Sequence, residues 1–350
     1  MVADSIDHVG LHNVVPSSYV SWFSSMPYQA LMVLALPLMK VLGLYRTPQL
    51  PSTDLSSKVI IVTGSNAGIG KSTAQALSGM GATVVLACRS EERANEAKND
   101  IVEALKSQGK PPGPLEFISL NLQDLDSVRK FAQLFKSKYK RLDVLVNNAG
   151  ISGFQRGASS KLTKDGLPWT IGVNFIGHFL LTLELMDVIK VTPGSRVVNL
   201  SSVLHRFGRS HTRWMDKQPA SIGVRYCDSK LAMVMLTVEL RRRFEAEGLD
   251  CYSFAVHPGV VRTSIWRQTP RIIMPIYDMF MRAMYLSSDQ GSYPSVNAAA
   301  APLDDLKQLL GPKGADKAAL PLYLQPYLLP FDLALPFEWG GPFVGCSASR

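Results

Sequence analysis

Between Lys58 and Val256, short apolar runs alternate with stretches whose apolar residues recur every three or four positions. The runs predict strands at Lys58–Thr63, Ala82–Cys88, Leu115–Leu120, Leu142–Asn147, Arg196–Ser201 and Asp250–Val256. The periodic stretches predict helices at Ile69–Met80, Glu91–Ser107, Leu125–Tyr139, Gly166–Val191 and Gly223–Glu247. Such alternation calls for one α/β domain, a doubly wound parallel sheet with helices on both faces. VIIVTG and ATVVLAC are apolar at successive positions, as strands covered on both sides must be.

The flanks read differently. No charged residue occurs from Val14 to Met39, and YQALMVLALPLM fills Tyr28 to Met39. A spanning helix needs about 20 apolar residues, and Tyr19 to Tyr45 is long enough. Ser21, Ser24, Ser25, Pro27, Pro37 and Lys40 weigh against a span. A secretory leader fits poorly, because no Lys or Arg precedes the apolar run. Two expectations stand: membrane association through residues 19–45, as a span or re-entrant hairpin, or an extra helix packed on the domain. Arg46–Ser57 reads as a linker. From Ala318 to Val344 the charges are Asp332 and Glu338, and Pro321, Pro326, Pro330, Pro336 and Pro342 forbid a regular helix. That tail would cap a pocket or lie on a bilayer. The expected division is 1–57 extension, 58–310 catalytic domain and 311–350 tail.

With 350 residues, 46% hydrophobic and 19% charged, the chain has the balance of a folded protein. Its net charge of +9 favours an anionic ligand or surface. No Lys/Arg run with interleaved aromatics is present, so a nucleic-acid partner is not expected. Cys88, Cys227, Cys251 and Cys346 form no CxxC pair, and the first three fall inside predicted elements, which suits a reducing compartment. His8 and His12 have helical spacing around Gly10, a poor metal site, and no metal is expected.

Chemistry gathers at the carboxyl ends of the predicted strands. After the first comes Thr63-Gly64-Ser65-Asn66-Ala67-Gly68-Ile69-Gly70 and then a helix. Gly64, Gly68 and Gly70 would let the backbone turn tightly and approach a pyrophosphate seated on the helix N-terminus. A strand before and a helix after is the context such a turn needs to bind a dinucleotide. The second strand ends Ala87-Cys88-Arg89-Ser90, where a carboxylate for a ribose 2′-hydroxyl is missing and a guanidinium suits a 2′-phosphate instead. That favours NADP(H) over NAD(H). Lys71 would assist or would only be a solvated helix charge. Asn147-Asn148-Ala149-Gly150 closes the fourth strand, and the adjacent amides would line the adenosine side.

Tyr226 and Lys230, in Tyr-Cys-Asp-Ser-Lys, lie four apart on a predicted helix and so share a face. A free tyrosine titrates near 10, too high for a base at neutral pH. A neighbouring ammonium and an oxidised nicotinamide would both lower that value. Ser201-Ser202 ends RVVNLSS, where a hydroxyl would face a substrate oxygen, and Asn174 on the preceding helix would hold a water against Lys230. Asn199-Leu200-Ser201 spells a glycosylation sequon but falls in a predicted buried strand.

TGSNAGIG, NNAG, Asn174, Ser202, Tyr226-x-x-x-Lys230 and His257-Pro258-Gly259 together resemble the short-chain dehydrogenase/reductase family in order and spacing, from about Lys58 to Ala301. ACRS, the long gap from Ser202 to Tyr226 and YCDSKLA are most similar to its retinol-dehydrogenase-like branch. The resemblance implies a single Rossmann-type domain and a catalytic tetrad of Asn174, Ser202, Tyr226 and Lys230, with Ser202 preferred because that branch uses the second serine. It further implies cofactor contacts from Gly64, Ser65, Asn66, Gly68, Ile69, Gly70, Arg89, Leu122, Asn148, Ala149, Gly150, Tyr226, Lys230, Pro258, Gly259, Val261 and Thr263. Asn121 stands where the family commonly has an adenine-binding Asp, and its amide oxygen would still accept from the adenine amine. Helices carrying Asn174 and Tyr226 often pair across subunits in the family, which leaves homodimer and monomer both open.

The implied reaction is hydride transfer between NADP(H) and a carbonyl or alcohol carbon, run as reduction, with Tyr226 giving the proton. Ile151, Phe154, Val203, Phe207, Val260, Ile265 and Trp266 would wall an apolar pocket. Ser264–Leu286 would be either an amphipathic helix packed on the core or a mobile lid. A retinoid, steroid or fatty carbonyl would fit. The basic insertion His205-Arg206-Phe207-Gly208-Arg209, with His211 and Arg213, would steer an anion or be merely solvated. Two rivals share the motifs: a carbon–carbon double-bond reductase and a non-catalytic NADP-binding scaffold or sensor. The expected location is a membrane with the domain facing the cytosol, at the endoplasmic reticulum or a lipid droplet, and the alternative is soluble cytoplasm.

Overall fold

A computed structural model describes residues 50–152, 161–209, 214, 223–259, 261, 286–308 and 323–324. Strands β1 (Val59–Thr63), β2 (Thr83–Cys88), β3 (Leu115–Ser119), β4 (Val144–Asn147), β5 (Ser195–Leu200), β6 (Cys251–Val256) and the two-residue β7 (Tyr323–Leu324) form one sheet in the order β3-β2-β1-β4-β5-β6-β7. All six pairings are parallel. Every residue of β1 and β4 is buried, which is why those runs carry no polar alternation. The expected Rossmann-type α/β architecture is what the chain adopts.

Helices α1 (Gly68–Ser78), α2 (Glu91–Ser107) and α3 (Leu125–Lys138) follow β1, β2 and β3. Ser90 caps α2 by accepting from the Arg93 amide, and Asp124 caps α3 by accepting from Asp126 and Ser127. The expected single helix from Gly166 to Val191 is instead broken: α4 (Trp169–Ile171), a π-turn (Gly172–Ile176), α5 (Gly177–Glu184) and α6 (Met186–Lys190). Pro168 delays its start, since proline supplies no amide and here serves as the cap. After β5 come a 3₁₀ turn (Val203–Phe207), then α7 (Val224–Ala246), entered through Gly223 at φ +89°. The left-handed turn at Gly223 needs glycine.

Helix α8 (Ser288–Ala300), followed by α9 (Leu303–Gln308), has no counterpart among the predicted elements. Its start is a capping box between Ser287 and Gln290. Val296, Ala298, Ala299 and Ala300 pack into the core on the face that also holds Leu77, Ile60 and Val198. Arg196 of β5 donates to the carbonyls of Ala298 and Ala301, at 3.0 and 2.8 Å. Part of the expected linker is also anchored: Leu55 is buried in the same cluster and Thr53 Oγ1 donates to Ala300 O at 2.8 Å.

The stretch 19–45, the segment 264–285 and the tail apart from β7 lie outside the described residues. No helix among the described residues is long and apolar enough to cross a membrane. No group of His, Cys, Asp or Glu among them is arranged to hold a metal ion.

Candidate active site

The sheet's strand order reverses between β1 and β4, and ligands of open α/β sheets bind outside the carboxyl ends of strands at such a point. Gly64 follows β1 with φ +67° and lies so close to β4 that a Cβ there would meet Ala149 Cα at 3.0 Å. At Gly70 a Cβ would stand 2.4 Å from Asn148 Nδ2 and 2.5 Å from Gly64 O. The first turn of α1 is therefore pressed against the loop, and only glycine fits. Gly68 has φ +55°. Ala67 provides no side-chain cap for α1, which leaves its first amides to another acceptor. Ser65 Oγ and Asn148 Oδ1 are buried with no hydrogen-bond partner among the described residues. Together they form a cradle of amides and polar atoms, and Asn66 and Ile69 of the same turn are half-buried.

Asn148 holds this turn in place. Its backbone amide donates to Thr63 Oγ1 at 2.9 Å, and its side chain donates to Thr63 O at 2.7 Å. Asn147 does not line the adenosine side as expected. It is buried under the sheet, where Nδ2 donates to Thr182 Oγ1 and Asn199 Oδ1, at 3.1 and 2.8 Å. Successive strand residues point to opposite faces, so only one of the two amides can reach the cleft.

Arg89 is exposed at the end of β2. Cys88 beside it is buried, which pushes its thiol up to about 11 against a smaller pull from Arg93. Lys71 is paired with Asp100, away from the role of assisting a phosphate. Asn121 Oδ1 already accepts from the Gln123 amide at 3.3 Å, which leaves its second lone pair for a ligand. Leu122 has its side chain in the core, packed against Gly177, so its backbone alone is left to meet a cofactor.

Two of the four tetrad positions, Asn174 and Lys230, meet beside Gly150. A Cβ on Gly150 would lie 3.5 Å from Asn174 Oδ1 and 3.6 Å from Lys230 Nζ. Asn174 sits inside the π-turn, a distortion that recurs at functional sites. Its Oδ1 accepts from Ile151 N at 2.9 Å, and its Nδ2 donates to Ile151 O and Ser229 Oγ at 3.0 and 3.1 Å. Lys230 Nζ donates to Leu200 O at 2.8 Å and lies 5.6 Å from the centre of the Tyr226 ring. Burial pushes the Lys230 ammonium down to about 8. The paired serines divide their work: Ser201 is buried and donates to Lys230 O at 2.8 Å, whereas the Ser202 hydroxyl is bonded to Tyr226.

One electrostatic expectation is reversed. The Tyr226 phenol is pushed up to about 12, because burial outweighs the hydrogen bond from Ser202. Lys230 is not among the groups that shift it.

Behind the tetrad, His205 and His257 are buried and held neutral, at about 4 and 3, by desolvation. His205 Nδ1 donates to Ser202 O at 2.6 Å, so this part of the basic insertion serves to fix the serine's backbone. Pro258 is buried at the end of β6, Gly259 has φ +80° and Val261 is bridged to Leu286. Of the proposed pocket wall, Ile151 and Val203 are half-buried and Phe207 is exposed. Phe154, Val260, Thr263, Ile265, Trp266, His211 and Arg213 lie outside the described residues. The sequon residue Asn199 is fully buried and bonded to Thr237 at 2.9 Å, as a chance match would be.

One residue of the site carries no motif in the sequence: His178, which is hydrogen-bonded at 2.9 Å to Thr63 at the head of the glycine turn. His178 falls four residues after Asn174 on the same helix face, and that spacing is the signal that could have found it.

A family model for short chain dehydrogenase matches residues 58–271, more than half the chain. The chain belongs to that family. Among the curated relatives, human Retinol dehydrogenase 11 is 37% identical over 251 residues, which cover 71% of this chain and 74% of that protein. Human Retinol dehydrogenase 12 is 37% identical over 255 residues, covering 71% and 75%. These place the chain in the retinol-dehydrogenase-like branch of the family, and it is an alcohol/carbonyl oxidoreductase using a nicotinamide cofactor. Among solved structures, an uncharacterized protein from Mycobacterium Paratuberculosis is 32% identical with a TM-score of 0.56, covering 73% of this chain and 80% of the other. A short chain dehydrogenase from Shigella flexneri, complexed with NADP, has a TM-score of 0.54 at 19% identity, covering 79% and 98%, and so shares the fold.

Proposed function

We propose that this chain is an NADP(H)-dependent carbonyl reductase for lipophilic substrates, with retinoid aldehydes first and steroid or fatty carbonyls next, and that Tyr226 is its proton donor. The observation that carries the reading is the meeting of the Ser202 hydroxyl with the Tyr226 phenol, one helical turn from a buried Lys230. The retinoid preference rests on the likeness to human Retinol dehydrogenases 11 and 12.

The amide cradle at Gly64–Gly70 and the orphaned Ser65 and Asn148 atoms fit a pyrophosphate, and Arg89 at the end of β2 suits a 2′-phosphate. Pro258, Gly259, Val261 and Thr263 would border the nicotinamide, and Asn121 the adenine. The reduced cofactor, when bound, supplies a hydride to the carbonyl carbon. Ser202 and Tyr226 would hydrogen-bond the carbonyl oxygen as it gains charge. Tyr226 would then give up its proton to that oxygen. Burial keeps the phenol protonated at neutral pH, the state in which it can donate to the carbonyl oxygen. Lys230 would bind the nicotinamide ribose and, with Asn174, return a proton to Tyr226.

The proposed domain limits are 58–310 for catalysis, with a membrane-associating extension at 1–57 and a tail at 311–350. The uncharged stretch Val14–Met39 supports membrane attachment with the domain facing the cytosol, at the endoplasmic reticulum or a lipid droplet. Removing residues 1–50 should convert a membrane-bound protein to a soluble one, and a full-length protein already soluble without detergent overturns the attachment. The activity is tested by offering the purified protein a panel of lipophilic aldehydes and ketones, retinaldehyde included, and following NADPH oxidation. Oxidation no faster than a Tyr226→Phe blank across the panel defeats the proposal.

A further inference from the structure

His178 is fully buried on α5, and no step above uses it. Its two ring nitrogens touch two different parts of the site. Nδ1 lies 3.1 Å from the carbonyl oxygen of Asn174, and Nε2 lies 2.9 Å from Thr63 Oγ1. A carbonyl only accepts, so Nδ1 carries the proton in that bond. Thr63 Oγ1 already accepts from two backbone amides, Asn148 N and Ala149 N, each at 2.9 Å. Both of its lone pairs are used, and its single proton remains. The nearest acceptors for that proton are His178 Nε2 at 2.9 Å and Val146 O at 3.4 Å. The shorter contact is the hydrogen bond, and it requires a bare nitrogen at Nε2.

The whole chain of donors therefore has one arrangement: Asn148 and Ala149 amides to Thr63, Thr63 to His178, and His178 to Asn174. Burial agrees, since it holds this imidazole near 4 and so neutral at physiological pH. Thr63 and Asn148 are the floor on which the glycine turn rests. Asn174 continues through Ser229 Oγ to the carbonyl of Tyr226, at 3.1 and 2.7 Å.

We propose that His178 is a positioning residue that sets the distance between the dinucleotide-binding turn and the catalytic helices, through one neutral imidazole tautomer. The inference rests on the proposed reductase reading for its kinetic arm but not for its binding arm. A doubly protonated ring, or a residue with one polar end, would break one of the two links while sparing the other.

Two substitutions separate the links. In His178→Asn the amide nitrogen takes the place of Nδ1 and can still donate to Asn174 O, while the bond to Thr63 is lost. In His178→Gln the amide oxygen reaches the place of Nε2 and can still accept from Thr63, while the bond to Asn174 is lost. The full-length chain and both variants are measured for NADPH affinity by quenching of protein fluorescence, and for kcat at saturating NADPH. His178→Asn should weaken NADPH about three- to tenfold with kcat little changed. His178→Gln should retain NADPH affinity and lose about three- to tenfold in kcat. A residue that merely fills space would lower the thermal midpoint in both variants and leave both constants of the folded enzyme unchanged, which overturns the proposal. So does a parallel fall of both constants in both variants. Should either variant fail to fold, the imidazole ¹⁵N spectrum of the wild-type chain decides. A neutral His178 protonated at Nδ1 supports the proposal, and a ring protonated at Nε2 ends it. A wild-type chain inactive on every carbonyl would sink the reductase reading and leave the NADPH and ¹⁵N arms intact.

Discussion

The Lys230 ammonium rests on the last carbonyl of β5, with Nζ 2.8 Å from Leu200 O. That bond fixes the amine beside the strand end that delivers Ser201 and Ser202, and burial lowers its pKa to about 8. Turnover that depends on the charged amine should fall as pH rises through about 8. Stability should respond with the opposite sign. The unfolded lysine stays protonated to about 10.4, so between about 8 and that value the unfolded chain binds more protons, and stability rises with pH. Lys230→Arg cannot deprotonate in this range, so its pH–rate profile should lose the alkaline limb even at a reduced maximum. A wild-type limb that persists in Lys230→Arg would assign it to another group.

Tyr226→Phe removes the proposed proton donor and leaves the ring. We expect kcat to fall by roughly 10²–10⁴-fold while NADPH affinity changes little. Paired measurements of single-turnover rate and cofactor binding check this, and undiminished turnover removes Tyr226 from the mechanism.

The neighbouring serines should separate cleanly. Ser201→Ala deletes a buried bond to Lys230 O and should cost about 1 kcal/mol of stability with little loss of rate per folded molecule. Ser202→Ala should lower kcat by roughly 10²–10³-fold, with a loss of stability of about 1 kcal/mol from the lost cap on the Leu204 amide. Denaturant titration and steady-state kinetics on both variants decide, and an exchange of the two phenotypes would reassign the substrate contact.

Arg89→Ala should weaken NADPH at least tenfold, the worth of about 1.5–3 kcal/mol for a hydrogen bond to a charged group, while NADH binding changes little. Equal losses for both cofactors would remove the 2′-phosphate from this arginine.

Gly70→Ala places a methyl 2.5 Å from the Gly64 carbonyl, which belongs to the backbone and cannot swing aside. Overpacking of this kind costs about 1–3 kcal/mol, and dinucleotide affinity should fall with the unfolding midpoint. Unchanged NADPH binding would mean that the turn lies elsewhere.

Strands β1 to β6 were legible to within two residues because both faces of the sheet are covered, and such strands read as unbroken apolar runs, whereas the two-residue β7 in the proline-rich tail was not foreseen. The glycine turn and the Tyr226–Lys230 spacing were legible for the same local reason: each depends on a few consecutive residues. What escaped needed the third dimension. The stretch around Asn174, VNFIGHFLL, is apolar apart from Asn174 and His178, so its period could not announce a π-turn. Helix α8 carries Ser288, Gly291, Ser292, Pro294, Ser295 and Asn297, poor helix formers, and is held by packing against α1 and the sheet rather than by propensity. Its capping box, Ser287 to Gln290, was the available cue. The direction of the Tyr226 shift was missed because neighbouring charge is visible in a motif and the depth of burial is not.

Helix α8 has a consequence for how the protein comes into being. A nascent chain that has emerged only to Gly259 already contains Asn174, Ser202, Tyr226 and Lys230, yet Ile60, Leu77 and Val198 still lack the alanines that cover them and Arg196 lacks its carbonyls. The catalytic groups are thus translated well before the domain can close, and a ribosome stalled between the two points should hold a sticky, inactive polypeptide that draws chaperones.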